Sequence, residues 1–335
     1  MRVLVTGAAG FYGSNFVNVL LSDDKVESIV GLDNYMHSED FPIDPFNIIE
    51  DKKAFSKKFT LLKQDYRDLT AKKIDDLNVD AIVHYAALVS IPESMDKPLE
   101  YFDVNEYGIF KLTQELLKSK TQPFLVFASS PEVYGDPVYV PMDVNHSTKP
   151  KSTYAVTKLA GESHIRVMYL WYKYPICTIR NFNTYGENQS NTYRGYPAVV
   201  PAFITRALLN EPIVVHNDGK QTRDLTYVKD AVRAYAEAIH RKNSVKGMTF
   251  NVGTGIDTSI KELAEKIKKL TNSKSKIVFE KGRPADLPRL VADINLTTEV
   301  LGWAPKFTLE QGLERAIAWY RKVLPQLQTV GGKRQ

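Results

Sequence analysis

Met1–Leu21, MRVLVTGAAGFYGSNFVNVLL, decides the fold. Val3-Leu4-Val5 is a short apolar run that reads as a buried strand, and Gly13–Leu21 has the apolar spacing of a helix. Between them stands Gly7-Ala8-Ala9-Gly10-Phe11-Tyr12-Gly13, a G-x-x-G-x-x-G turn. Glycines there let the chain turn tightly and approach a pyrophosphate, and the helix that follows offers unpaired N–H groups and a positive dipole end.

The alternation continues outward. Ser28–Leu32, Phe59–Leu62, Ala81–His84 and Phe124–Ala128 read as further strands, with a helical stretch at Asn105–Lys118. Their largely continuous apolar character suits parallel strands covered on both faces. The expected fold is α/β, a Rossmann-type doubly wound parallel sheet with a smaller, mixed C-terminal substrate domain. Segment 36–58 is polar and carries prolines, so it is expected as a loop or short helix on the surface. Beyond residue 180 the pattern changes: helices are expected at Val200–Leu209, Lys229–Arg241, Ile260–Leu270 and Leu309–Val323, with strands at Ile213–His216 and Phe250–Val252. The division expected is 1–180, with 222–253 returning to it, against 181–221 and 254–330.

Asp33 ends the second strand, 20 residues after Gly13. A carboxylate there can accept both ribose hydroxyls of an adenosine and repels a 2′-phosphate, which points to NAD rather than NADP.

Composition narrows the field. The chain has 335 residues, 43% of them hydrophobic and 25% charged, which excludes a disordered chain, a collagen-like fibre and a disulfide scaffold. No apolar run reaches the ~18–20 residues of a membrane helix. The N-terminus lacks the pattern of a signal peptide, so a cytoplasmic protein is expected. The one cysteine, Cys177, forbids an intrachain disulfide and reads as a small buried hydrophobe. The six histidines show no metal spacing, so no metal is expected. Lys plus Arg (44) exceed Asp plus Glu (39) by 5, without a basic stripe. That leaves nucleic acid an unsupported partner.

Tyr154 and Lys158 stand four residues apart, on one face of a helix. An ammonium beside a phenol favours phenolate, so Lys158 is expected to lower the Tyr154 pKa toward the range of a general base. Ser129-Ser130 follows the strand Phe124–Ala128, at the strand end where ligands gather in such sheets. Tyr169, Trp171, Tyr172 and Tyr174 follow and read as helix packing.

With these residues in place the chain resembles the extended short-chain dehydrogenase/reductase superfamily, and within it the nucleotide-sugar 4-epimerases and dehydratases. The resemblance rests on Gly7/Gly10/Gly13, Asp33, Asp65-Tyr66-Arg67-Asp68, His84-Tyr85-Ala86-Ala87, Asn105, Ser129-Ser130-Pro131-Glu132-Val133-Tyr134-Gly135 and Tyr154/Lys158. It continues through Arg180–Gly186, Gln221–Asp224, Asn251–Gly253 and Leu301–Trp303, in the family's order and over nearly the whole chain.

The resemblance implies a tightly bound NAD. Phe11, Tyr12, Asn34, Ala86, Ala87 and Asn105 would line it, Asp65 and Tyr66 would hold the adenine, and Lys158 the nicotinamide ribose. It implies that Ser90, Ser130 and Tyr154 meet the substrate, that Asn183 contacts its diphosphate, and that Arg223 with Arg283 neutralises it. Asp286 would take a uridine-type ribose, with Val199, Val214 and His216 near the base and Leu290 limiting bulk at the sugar C2. Two arginines suit a diphosphate through charge-assisted forks. Related enzymes pair through the helices corresponding to Asn105–Lys118 and Tyr154–Tyr172, so a homodimer is expected.

The implied reaction is 4-epimerisation of a UDP-hexose, such as UDP-glucose/UDP-galactose and the N-acetyl forms, through a transient 4-keto sugar. A 4,6-dehydratase usually carries Asp-Glu before Val-Tyr-Gly; here Pro131 replaces the acid, while Glu132 remains. Glu132, a further catalytic candidate, keeps a UDP-glucuronate decarboxylase or an NDP-sugar 4,6-dehydratase as the alternative.

Overall fold

The computed structural model describes residues 1–36, 41–191, 198–282 and 287–331. Strands β1 (Arg2–Thr6), β2 (Ser28–Asp33), β3 (Phe59–Lys63), β4 (Ala81–His84), β5 (Phe124–Ser129) and β6 (Ile176–Asn181) form one sheet with Thr249–Val252. Their order across it is β3-β2-β1-β4-β5-β6, with Thr249–Val252 beyond β6, and every pairing is parallel. The strand order reverses between β1 and β4, the switch point where such sheets open a crevice for ligands.

Alternate residues of each strand feed opposite faces. Val3 and Val5, Ala81 and Val83, Phe124 and Val126 join a core that includes the helices Phe11–Leu21 and Val228–His240. Leu4, Ile82, Leu125 and Phe127 join a second core with the helices Gly108–Lys118 and Thr153–Tyr172. Burial on both faces explains why the strands look like unbroken apolar runs.

The C-terminal part adds small sheets. Thr222–Arg223 pairs antiparallel with Thr258–Ser259 and parallel with Arg289–Leu290, a mixed sheet. Ile213–His216 pairs parallel with Ile277–Glu280.

Two expectations change. Segment 36–58 is not wholly superficial: Ile43, Phe46 and Ile49 are buried in the larger core, and Phe46 packs against Phe55 and Phe59. Of the four aromatics after Lys158, only Tyr174 is fully buried, its hydroxyl donating to the Pro123 carbonyl (3.1 Å). Trp171 is 80% exposed and Tyr172 64%, because the helix turns Ile165 and Met168 to the core instead. No helix among the described residues is long and apolar enough to cross a membrane.

Candidate active site

A cavity of about 760 Å³ opens at the C-terminal ends of the strands. Its wall runs from the glycine turn and Asp33 to Ser130, Glu132, Tyr154 and Lys158, and on past Asn183 to Gln189. One space therefore joins the dinucleotide-type turn to the tyrosine.

The turn depends on its glycines. Gly7 has φ +70°, and a Cβ on it would stand 2.8 Å from the Ala86 nitrogen. A Cβ on Gly13 would stand 2.0 Å from the Gly7 oxygen. Gly7 N–H donates to Leu32 O (2.9 Å), and Ala9 N–H to the Asp33 carboxylate (2.9 Å). Burial pushes the Asp33 carboxyl up from its ordinary value, against the N–H bonds of Tyr35 and Ala9. The cradle and the carboxylate fit the pyrophosphate and ribose of a dinucleotide.

Asp65 lines the cavity, but both its oxygens already have partners. Arg67 reaches Oδ1 through Nε (3.0 Å) and Oδ2 through Nη2 (2.8 Å), and Asn34 donates to Oδ2 (2.8 Å). Burial works to raise this carboxyl, yet the Arg67 and Asn34 bonds outweigh it and hold it below the usual range. The Tyr66 hydroxyl donates to Val104 O.

At the far end the Tyr154 phenol and Ser130 share the cavity wall, where Ser130 favours the phenolate. Ser130 Oγ also accepts from Glu132 N–H (3.3 Å), which leaves its own proton free for an oxygen opposite. Lys158 Nζ donates to Ala128 O (2.9 Å) and lies 5.2 Å from the centre of the Phe127 ring. Burial drives the phenol up to about 12, and the Glu132 charge adds to this; burial also drives the Lys158 amine down to about 8. The expected lowering of the Tyr154 pKa is not found: desolvation raises it, and the lowering influence on the phenol is that of Ser130. At neutral pH the site holds a neutral phenol beside an ammonium, and added positive charge at the cavity would be needed to release the phenol's proton.

Ser90, Ser130, Glu132, Tyr154, Lys158 and Asn183 meet at this one cavity with Phe11, Tyr12, Ala86 and Ala87. Asn105 does not face it: its amide both accepts from Leu88 N–H and donates to Leu88 O (2.8 Å each), pinning a residue of the cavity wall. Val199, Val214, His216, Arg223 and Leu290 stand outside its lining. Arg223 donates to Thr222 O (2.8 Å) and Leu287 O (2.7 Å), and Leu290 is fully buried with Val133, Tyr134 and Phe182. Arg283 and Asp286 lie outside the described residues.

Several lining residues escaped the sequence reading. Asn188 and Gln189 come from a stretch without periodicity. Asn188 Nδ2 donates to Pro45 O (3.0 Å) and Gln189 Nε2 to Thr184 O (3.1 Å). Carbonyl partners fix these amide orientations. Their side-chain oxygens, with Asn183 Oδ1 and the Tyr85 hydroxyl, are buried without a hydrogen-bond partner among the described residues. Unmet acceptors of this kind suit a ligand rich in hydroxyl donors.

The sequence profile described as GDP-mannose 4,6 dehydratase matches residues 4–316. A UDP-glucose 4-epimerase of Mycolicibacterium smegmatis is 32% identical over 323 residues, covering 96% of this chain and 99% of that relative. A UDP-N-acetyl-alpha-D-glucosaminuronate decarboxylase of Bacillus cytotoxicus is 32% identical over 342 residues, covering 96% and 98%. Among solved structures, the UDP-glucuronic acid 4-epimerase of Bacillus cereus, in complex with UDP-glucuronic acid and NAD, superposes with a TM-score of 0.85 at 25% identity, covering 96% of this chain and all of that one. The chain belongs to the GDP-mannose 4,6-dehydratase family, within the extended short-chain dehydrogenase/reductase group of nucleotide-sugar epimerases and dehydratases.

Proposed function

We propose that this chain is an NAD-dependent nucleotide-sugar 4-epimerase that interconverts UDP-hexoses, UDP-glucose and UDP-galactose first, through a transient 4-keto sugar. The observation that carries the reading is the placing of Ser130, Tyr154 and Lys158 together at the wall of a cavity shared with the glycine turn and Asp33. Bound NAD supplies a reversible hydride acceptor at the sugar C4 and a cationic ring. Tyr154 takes the proton of the sugar O4, Ser130 holds that oxygen, and Lys158 favours the phenolate. The unpaired oxygens of Asn183, Asn188 and Gln189 offer acceptors to sugar hydroxyls. In this reading Arg223 and Arg283 neutralise the diphosphate, Asp286 takes the ribose, Val199, Val214 and His216 border the base, and Leu290 limits bulk near C2.

Glu132 favours a second reading. It lines the cavity and its charge acts on Tyr154, so an acid–base partner for decarboxylation or dehydration is present. Pro131 beside it can donate no proton, which sets dehydration behind. A homodimer belongs to the proposal as well, supported by exposed Phe110, Val156, Val167, Leu170 and Trp171 on the helices Gly108–Lys118 and Thr153–Tyr172.

The test is incubation with UDP-glucose, UDP-galactose, UDP-N-acetylglucosamine, UDP-glucuronate and dTDP-glucose, with products resolved by NMR. Epimers at C4 without loss of carbon dioxide or water support the reading. Carbon dioxide from UDP-glucuronate, or a 6-deoxy-4-keto product, would replace it with the second.

A further inference from the structure

Three successive residues at the end of β5 each meet one residue of the helix Thr153–Tyr172. Ser130 shares the cavity wall with Tyr154, the Ala128 carbonyl accepts from Lys158 Nζ (2.9 Å), and Ser129 Oγ donates to the Glu162 carboxylate. Tyr154, Lys158 and Glu162 are spaced four apart, so they form one stripe down the helix. The third rung has no role in the chemistry described above.

Glu162 is buried, and so is its partner Arg180. Arg180 lies directly across from Ser129 in the β5–β6 register. Its Nε donates to Glu162 Oε1 (2.9 Å) and its Nη2 to Oε2 (2.6 Å), a bidentate fork. The guanidinium is held over the Tyr134 ring at 4.6 Å, and Nη1 donates to Val144 O (3.3 Å). A buried ion pair is a weak source of stability, because desolvation of both charges offsets their attraction. Its placement one turn behind the Lys158 ammonium supplies another reason for it.

We propose that Glu162, clamped by Ser129 and Arg180, is a positioning residue that sets the charge state and the place of Lys158, and through it of Tyr154. The proposal rests on the assignment of Tyr154 and Lys158 to the chemistry. Among the described residues, the groups about Lys158 are Glu162 from its own helix, His84 from β4, and the Ala128 carbonyl and Phe127 ring from β5, with Tyr154 one turn back along the helix. His84 is held neutral, its pKa pulled down to about 3 by burial. Glu162 is then the negative charge that favours the ammonium against desolvation. Arg180 stands behind it with the opposite sign.

The pair therefore has a signature that mere packing lacks: its two halves carry opposite charges, so removing one should not move Lys158 as removing the other does. The test follows the Lys158 amine by NMR titration of full-length, lysine-labelled protein, its signal assigned by loss in K158M. In E162Q the ammonium loses its partner and meets Arg180 unbalanced, so its proton affinity should drop about tenfold or more, while R180Q should not lower it. Should E162Q or R180Q fail to fold, S129A keeps both charges and removes only the clamp; a drop of about twofold or more is expected there. An unmoved midpoint in E162Q, or in S129A where E162Q does not fold, overturns the proposal, as does a fall in R180Q equal to that in E162Q. Because the midpoint is read without substrate, a shift as expected in a protein that epimerises nothing would uphold the proposal and reject only the assigned reaction.

Discussion

Tyr154 and Lys158 lie one helical turn apart, and burial moves their proton affinities toward each other, the phenol up to about 12 and the amine down to about 8. The neutral phenol is thus the resting state, and the neighbouring ammonium is close to losing its charge in mildly alkaline solution.

Turnover should accordingly fall as pH rises through about 8, where the Lys158 amine loses its proton. The sign follows from the amine's role: charged below that value, it favours phenolate; neutral above it, it no longer does. A pH profile of kcat/KM checks this, and the alkaline limb should disappear in K158M, which has nothing to titrate there.

Replacing Tyr154 by Phe removes one hydroxyl and keeps the ring. NAD should still bind, while turnover falls by about 10²- to 10⁴-fold, the usual contribution of a positioned general base. Steady-state rates beside the cofactor content of the purified variant separate the two effects. Unchanged turnover would show that another group takes the proton.

Asp33 binds Ala9 N–H in the glycine turn and lines the cavity. D33N should weaken NAD about ten- to a hundredfold, the ~1.5–3 kcal/mol of a hydrogen bond to a charged group. Calorimetric titration of the cofactor measures it, and an unchanged Kd would move the adenosine ribose elsewhere.

Gly13 leaves no space for a side chain, since a Cβ would meet the Gly7 oxygen at 2.0 Å. G13A should lose NAD and lower Tm, because overpacking of this kind costs about 1–3 kcal/mol. A thermal melt with and without NAD reads both; equal stabilisation by NAD in the two proteins would contradict the turn's assignment.

Much of the fold could be read directly from the chain, for an identifiable reason. Parallel strands buried on both faces are nearly continuous apolar runs, so β4 has the expected bounds and β1, β2, β3 and β5 differ by a residue or so at their ends. Ile43, Phe46 and Ile49 were hidden because Asp44, Pro45 and Asn47 interrupt the stretch, and the packing of Phe46 on Phe55 and Phe59 is a tertiary contact with no local period. Trp171 and Tyr172 misled in the opposite sense, since aromatic character does not tell which side of a helix is packed. At the site, the glycine turn, Asp33 and the Tyr154/Lys158 pair were legible through spacing, whereas Asn188 and Gln189 sit in a stretch with no period. Glu162 had a signal that passed unnoticed, its place four residues beyond Lys158.

The exposed Trp171 gives the dimer its simplest test. W171E places a charge on the apolar helix face and should shift elution from dimer to monomer, with the far-ultraviolet spectrum unchanged. A monomeric parent protein would remove this part of the proposal.

The central claim is that hydrogen leaves the hexose C4 for the bound cofactor and returns to the same carbon. UDP-glucose deuterated at C4, incubated without added NAD, measures this most directly. UDP-galactose that retains the deuterium at C4 is the expected result. Deuterium lost to water, or a product lacking carbon dioxide or water, would contradict it.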